Sequence, residues 1–212
     1  MFFILYLFIG TISGLVAVLP MMLVFHFIAL KRNKPSDGRE KFLYMLTSYI
    51  FCTMIIAILS VTGITGIPDI HNQRAYINLI PFIDISTNYG QYLLNIVLFI
   101  PVGFLLPMIW EHFKKKRLLF TTGLLFSLFI ELMQLFGIRA TDIDDLMMNT
   151  AGTIVGYYLF VLIKRIFPKI SVFSDSRIKR WKWESCVYFA FALLGMAFIQ
   201  PFIEGWIWGL VL

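Results

Sequence analysis

The stretch "FFILYLFIGTISGLVAVLPMMLVFHFIAL" (residues 2–30) decides the fold, because it contains no Asp, Glu, Lys or Arg. A helix of roughly 20 apolar residues is long enough to cross a hydrocarbon core of about 30 Å. The stretch is therefore predicted to be a membrane-spanning helix. It lacks a basic n-region and is about twice as long as the apolar core of a signal peptide, so we expect it to remain in the mature protein.

The rest of the chain has the same character. Of its 212 residues, 59% are apolar and only 14% are charged, which is outside the range of soluble globular domains. We predict an all-α polytopic membrane protein with about six transmembrane helices in one bundle, forming a single domain over residues 1–212. The five further predicted spans are residues 42–66, 92–110, 118–138, 146–163 and 185–212.

The distribution of basic residues predicts the orientation. The first, third and fifth loops hold five, four and seven Lys or Arg residues, whereas the second and fourth hold one each. Because positive residues stay on the cytoplasmic side, both termini are predicted to be extracytoplasmic. The net charge of +6 is thus a topology signal and indicates no nucleic-acid partner. We expect a multi-pass protein of the bacterial plasma membrane, with the bilayer as its first partner.

Cysteine and histidine give no sign of a disulfide or a metal site. Cys52 and Cys186 fall at or within predicted helices, so a structural disulfide is not expected. His26, His71 and His112 lie in different segments without metal-ligand spacing. No His-based metal site is predicted.

The second loop contains "AYINLIPFIDI" (residues 75–85), which is apolar but interrupted by Pro81. Proline breaks helical hydrogen bonding. This piece either packs on the helix ends or dips into the membrane as a re-entrant segment, which requires protein or water to satisfy its backbone. The packed loop is the simpler alternative.

Polar residues inside the fourth span share one face. Ser127, Glu131 and Gln134 are spaced i, i+4 and i+7, with Gly123 one turn away. Glu131 lies roughly 10 Å inside the predicted outer boundary, at 1.5 Å per residue. A carboxyl group in hydrocarbon costs several kcal/mol unless it is paired, hydrated or neutralised. This stripe is therefore predicted to face protein or water.

The fifth span repeats the pattern. Asp145, Asn149, Gly152 and Gly156 follow one another at i, i+4, i+7 and i+11. The two glycines on this stripe predict close approach of a neighbouring helix, as in small-xxx-small packing.

On the third span, Asn95 lies about one turn below the outer end. Pro101 removes a hydrogen bond to the carbonyl of Val97 and predicts a kink. Short loops keep successive spans adjacent, so the polar groups of three spans should converge on one outward-opening site. Its predicted lining is Asn95, Ser127, Glu131, Gln134, Arg139, Asp142, Asp145 and Asn149.

The segment "RATDIDD" (residues 139–145) would form the mouth of that site. Arg139 can bind a carboxylate or phosphate through two parallel hydrogen bonds, and the aspartates can hold a hard cation, an amine or Arg139 itself. A purely structural alternative is open: Asp142 or Asp144 caps the next helix, and Asp144 is the expected cap.

A structural role is equally open for the amides. Asn95, Gln134 and Asn149 are also typical of hydrogen bonds between helices. Gln200 and Glu204 lie near the outer end of the last span, where Trp206 and Trp208 indicate an interfacial belt. We therefore treat Gln200 and Glu204 as secondary candidates.

Four stretches carry a family resemblance. They are "NLIPF" (78–82), "NIVLFIPVGFLLP" (95–107), "SLFIELMQ" (127–134) and "RATDIDDLMMNTAGTIVG" (139–156). In order and spacing they resemble the VanZ-like family of membrane proteins, with the family core at about residues 78–156. The resemblance implies a role in low-level resistance to teicoplanin and related lipoglycopeptides at the bacterial cell surface. It implies no reaction.

Three functions are consistent with this sequence. The first is a resistance factor whose outward-facing polar site meets a lipid-linked wall precursor or a lipoglycopeptide. The second is an intramembrane enzyme acting on a lipid-linked phosphate or sugar, with Glu131 as general base and Ser127 or Asp145 as further catalytic candidates. A divalent cation held by Asp142, Asp145 and Glu131 would favour this enzyme. A small transporter is the third, less favoured because no polar relay is expected in the inner half of the spans. The sequence predicts no oligomeric state.

Overall fold

The computed structural model of the protein describes residues 2–33, 38–64, 77–83, 85–135, 141–168 and 181–211. Six helices are long and apolar enough to cross a membrane in this part of the chain, which confirms the all-α polytopic fold. The elements are α1 (Phe2–Asn33), α2 (Gly38–Val61), β1 (Ile77–Asn78), α3 (Ile85–Ile109), a 3-10 helix (Glu111–Lys114), α4 (Lys116–Gln134), β2 (Thr141–Asp142), α5 (Ile143–Ile166), α6 (Glu184–Leu194), a π-helical turn (Gly195–Ile199) and α7 (Gln200–Val211).

The chain divides into two compact units. Unit 1 comprises Met1–Pro68 and Ser176–Leu212, and unit 2 comprises Asp69–Asp175. Unit 1 therefore contains α1, α2, α6, the π-helical turn and α7, whereas unit 2 contains α3, α4, α5 and both short strands. The single domain and single bundle expected for residues 1–212 stay predictions.

In unit 2, α3 and α5 pack backbone against backbone. A Cβ atom on Gly152 would overlap the carbonyl oxygen of Ile96, and one on Gly156 would overlap the carbonyl oxygen of Ile100. Gly103 of α3 is equally close to the backbone of α5. The close approach predicted from the two glycines of the fifth span is confirmed.

The break in α3 occurs near its start. Asn88 has φ −119° and ψ 22° inside the helix, where two helical segments meet at a kink. Pro101, at which the sequence predicts a kink, lies within the helix, as does Pro107. The change of direction at Asn88 separates the first turn of α3 from its membrane-spanning part, Asn88–Ile109.

Two short parallel strands join the second loop to the start of α5. Ile77 lies opposite Thr141, and Asn78 opposite Asp142. The described residues 77–83 therefore pack on the N-terminal end of α5, whereas residues 75, 76 and 84 of the predicted loop lie outside the described residues. Strands of two residues have no hydrophobic period, so the sequence did not reveal them.

In unit 1, α1 packs against α2, α6 and α7. Gly14 of α1 leaves no room for a Cβ between Met196 and Ile56. The last predicted span is a single membrane-crossing segment, Glu184–Leu210, but it contains the π-helical turn. Pro201 follows this turn closely and cannot donate a backbone hydrogen bond.

Candidate functional site

The start of α5 is capped by Asp142. Its backbone is extended (φ −127°, ψ 129°), and its side chain accepts a hydrogen bond from the backbone N–H of Asp144 at 2.9 Å. This is the geometry of an N-cap aspartate. The expectation that Asp144 caps the helix is wrong, because Asp144 already lies in the first turn and its own N–H is the group being capped.

Asp144 is instead a buried acceptor, with a relative exposure of 1%. Both carboxylate oxygens accept from the backbone N–H of Phe82, at 2.9 and 3.0 Å. The Tyr92 hydroxyl donates to Oδ2 at 2.6 Å. Phe82 has a φ of 61°, a left-handed conformation that is strained for a bulky residue and that persists when its surroundings hold it.

Asn78 connects the second loop to the cap. Its side-chain nitrogen donates to both carboxylate oxygens of Asp142 at 3.3 Å. Its side-chain oxygen accepts from the backbone N–H of Ile80 at 3.1 Å, which forms the local turn typical of asparagine. The amide thus orders the loop and orients the capping carboxylate.

Glu131 connects α4 to the same point. Its side chain is 3% exposed, and Oε2 accepts from the backbone N–H of Asp142 at 3.0 Å. The Thr141 hydroxyl donates to the backbone oxygen of Glu131, also at 3.0 Å. The intramembrane carboxylate therefore binds the backbone directly before α5.

Two amide pairs join the helices of unit 2. The side-chain nitrogen of Asn95 on α3 donates to Oδ1 of Asp145 on α5. The nitrogen of Asn149 on α5 donates to the Ser127 hydroxyl on α4 at 3.0 Å. These contacts match the interhelical role considered for Asn95 and Asn149. Gln134 is buried on α4.

A small pocket of about 30 Å³ opens beside these groups. A water molecule needs about 10–15 Å³ by this measure, so the pocket has room for a small polar group. Its lining is polar and includes three carboxylates: Asn88, Gln91, Tyr92, Asp142, Asp144 and Asp145. We call it the acidic pocket.

The predicted site residues are therefore only partly brought together, and Gln134 lies buried on α4 outside the pocket lining. Asp142 and Asp145 line the acidic pocket, and Glu131 and Asn95 each bond to one of these two residues. Ser127 and Asn149 meet further along α4 and α5. Arg139 lies outside the described residues.

Sequence reasoning missed several members of the pocket. Asn88, Gln91 and Tyr92 lie at i, i+3 and i+4, a spacing that places them on one face of a helix. The signal was available, but the third span was predicted to begin only at residue 92. The sequence pattern predicts Asp144 to be a helix cap, and it does not indicate which residue Asn78 contacts.

The acidic pocket is not arranged as a metal centre. Over the described ranges there is no group of three or more His, Cys, Asp or Glu side chains placed to hold a metal ion. The divalent cation that would favour an enzyme therefore gains no support from these side chains.

Unit 1 contains a second polar cluster, which we call the tyrosine network. The hydroxyl of Tyr188 donates to Oε1 of Glu184 at 2.7 Å, lies 3.0 Å from the Ser48 hydroxyl and 3.2 Å from Nε2 of His26. All four side chains are buried. The sequence did not reveal this cluster, because residues far apart in the chain supply it.

Gln200 and Glu204 also form internal contacts. Gln200 is fully buried and donates to the Ser13 hydroxyl on α1 at 3.3 Å. It also donates to Glu204, which accepts from the Trp208 indole at 3.4 Å. Gln200 therefore joins α7 to α1, and the interfacial belt expected around Trp206 and Trp208 stays a prediction.

Comparison with known proteins identifies relatives of the membrane-spanning region. The family model described as VanZ/LLP1 matches residues 17–164. Protein VanZ of Enterococcus faecium is 38% identical over 95 residues, which is 43% of this chain and 56% of that relative. The match thus spans little more than half of the relative's length. No solved structure matches.

Proposed function

The chain belongs to the VanZ/LLP1 family, and we propose that it lowers the susceptibility of a bacterium to teicoplanin and related lipoglycopeptides at the plasma membrane. The observation that carries the proposal is the acidic pocket, because it lies within the matched region and its three carboxylates belong to the family-like stretch at residues 139–156. The pocket is where this function would reside.

The chemistry of the pocket favours a cationic group. Three carboxylates line it, and backbone or hydroxyl donors fix the orientation of Asp142 and Asp144. A carboxylate offers about four lone-pair positions, and an ammonium group has three N–H donors. We propose that the pocket binds the ammonium group of an amine-bearing ligand.

The topology predicted from the basic loops places this pocket on the extracytoplasmic side. Lipid-linked wall precursors and the lipid tails of lipoglycopeptides meet in that leaflet. An amine held in the acidic pocket would keep such a molecule away from its target. This mechanism requires binding and no covalent step.

The contacts of Ser127 support a packing role in place of catalysis. Its side chain is fully buried, and its oxygen accepts from Asn149. A serine nucleophile needs a base within hydrogen-bond reach and access for a substrate. Binding is therefore the better supported function for this site.

The test is the inhibitory concentration of teicoplanin for a susceptible bacterium that expresses the full chain. Wild type should raise it, and Asp145→Asn or Glu131→Gln should return it to the vector value. Gln at 131 retains an oxygen that can accept from Asp142, so the local fold should persist. Glu111→Gln is the matched control, because Glu111 is an exposed carboxylate of the same unit.

Protein abundance in membranes is measured for every variant. Resistance that persists at wild-type level in both Asp145→Asn and Glu131→Gln would refute the proposed site. Loss of resistance in Glu111→Gln as well would show that general negative charge, and not the pocket, is responsible.

A further inference from the structure

Unit 1 has a shallow apolar groove beside the C-terminal half of α1. Its lining residues are Phe25, Ile28, Ala29, Arg32, Tyr44 and Trp181. The four residues from α1 are spaced i, i+3, i+4 and i+7, so they form one stripe about 10 Å long. The stripe is apolar for its first three members and ends in a guanidinium group. We call this surface the α1 groove.

Arg32 lies over an aromatic ring. Its Cζ lies 5.0 Å from the centroid of the Trp181 ring. Stacking uses the face of the guanidinium plane and leaves the N–H donors at its edge available, in the fork that matches a phosphate. Arg32 is exposed, and no carboxylate in the described part of the chain pairs with it.

Two aromatic residues of the α1 groove pack against other side chains of unit 1. Tyr44 is 4% exposed, and its backbone oxygen accepts from the Ser48 hydroxyl at 2.8 Å. The Phe25 ring packs edge-on against Tyr188, with centroids 5.4 Å apart. Phe25 and Tyr44 are therefore packed by contacts within unit 1, and a preformed surface loses little entropy on binding a flexible chain.

We propose that the α1 groove binds one anionic phospholipid of the surrounding bilayer. An acyl chain lies along Phe25, Ile28 and Ala29, and the lipid phosphate accepts hydrogen bonds from Arg32. The apolar stripe requires the acyl chain, and the guanidinium at its end requires an anionic headgroup. A soluble phosphate would leave the apolar part of the groove uncovered. This site lies in unit 1 and is independent of the function proposed for the acidic pocket.

Lipid retention by the purified full chain tests the proposal. The protein is exchanged into an equal mixture of phosphatidylglycerol and phosphatidylcholine with identical acyl chains, and native mass spectrometry counts the bound lipids. Wild type should retain phosphatidylglycerol preferentially. Arg32→Gln should reduce this preference by about tenfold, the effect of losing a charge-assisted contact.

Ala29→Trp tests the acyl-chain half of the site, because it fills the groove without changing charge. Retention of both lipids should fall. The matched control is Lys116→Gln in unit 2, since Lys116 also lies over aromatic rings, at 5.8 Å from Tyr157 and 5.3 Å from Tyr158. It removes the same charge and a similar ring contact, and should leave the preference unchanged.

The outcomes separate the alternatives. An unchanged lipid preference in Arg32→Gln would overturn the proposal, as would an equal loss in Lys116→Gln. Displacement of the retained lipid by inorganic phosphate would show that the anion binds without its acyl chain, and would overturn it too. Thermal unfolding of Arg32→Gln close to that of wild type confirms that the variant is folded.

Discussion

Replacing Asp144 by asparagine tests whether this buried carboxylate holds the second loop onto α5. The side chain accepts from the Phe82 N–H with both oxygens and from the Tyr92 hydroxyl. Asparagine has one oxygen, so it cannot serve both donors in the same way. Its NH₂ group must then face either the Phe82 N–H, with which it forms no hydrogen bond, or the Tyr92 hydroxyl, which must turn away its own proton in order to accept.

The expected cost distinguishes two roles for Asp144. Losing one charge-assisted hydrogen bond, with a buried donor left unsatisfied, costs about 2–4 kcal/mol. A carboxylate that merely favours the helix dipole contributes about 0.3–1 kcal/mol. For a chain of this size, each kcal/mol lowers the melting temperature by about 2–4 °C. We therefore expect Asp144→Asn to melt roughly 4–16 °C below wild type.

The measurement is thermal unfolding of the purified protein in one detergent, at one protein concentration. Glu111→Gln is the matched control, because it also replaces a carboxylate by its amide, but at an exposed position of the same unit. Tyr92→Phe removes a single donor and should fall between the two. Equal melting temperatures for Asp144→Asn and Glu111→Gln would refute the role assigned to Asp144.

Three further predictions concern packing and topology. Gly156→Leu should abolish stable folding, because a side chain there overlaps the α3 backbone. Gly90→Ala is the control: its Cβ meets nothing within 4 Å, so solubility in mild detergent should not change. Size-exclusion chromatography checks both variants. Tyr188→Phe should cost about 1–3 kcal/mol by leaving Glu184 without its hydroxyl donor, which thermal unfolding measures. A periplasm-active reporter fused to either terminus should be active if both termini are extracytoplasmic, and a cytoplasmic signal would contradict the predicted orientation.

The helices were predictable because hydrocarbon length and side-chain polarity determine them almost alone. The ends of the helices were less predictable. The second span was expected to reach residue 66 but ends at Val61. Gly63, at φ 77°, donates to the Ser60 carbonyl, and Ile64 donates to the Leu59 carbonyl. Glycine is a local sequence signal for the C-terminal cap of a helix. The hydropathy pattern nevertheless extends the predicted span past Gly63, because the residues beyond it are still apolar.

The candidate site was predictable only in the parts that lie inside apolar spans. Glu131 and Asn95 stand out there because hydrocarbon makes a polar group costly. Asn78 lies in the second loop and Asp144 at the end of a span, where polar residues are ordinary, so their burial gives no sequence signal. Their partners are 64 and 62 residues away, and only the folded chain brings them together.

The acidic residues at the start of α5 hold their positions through backbone donors. The N–H groups of Phe82, Asp142 and Asp144 donate to the carboxylates of Asp144, Glu131 and Asp142, respectively. Each of these hydrogen bonds needs one acceptor oxygen. That oxygen does not have to belong to a charged group. Hydrogen bonding and net charge are therefore separable at Glu131, where glutamine keeps an acceptor while removing the charge. A resistance phenotype that follows the charge, at constant stability, would come from a cationic ligand and not from the integrity of the loop.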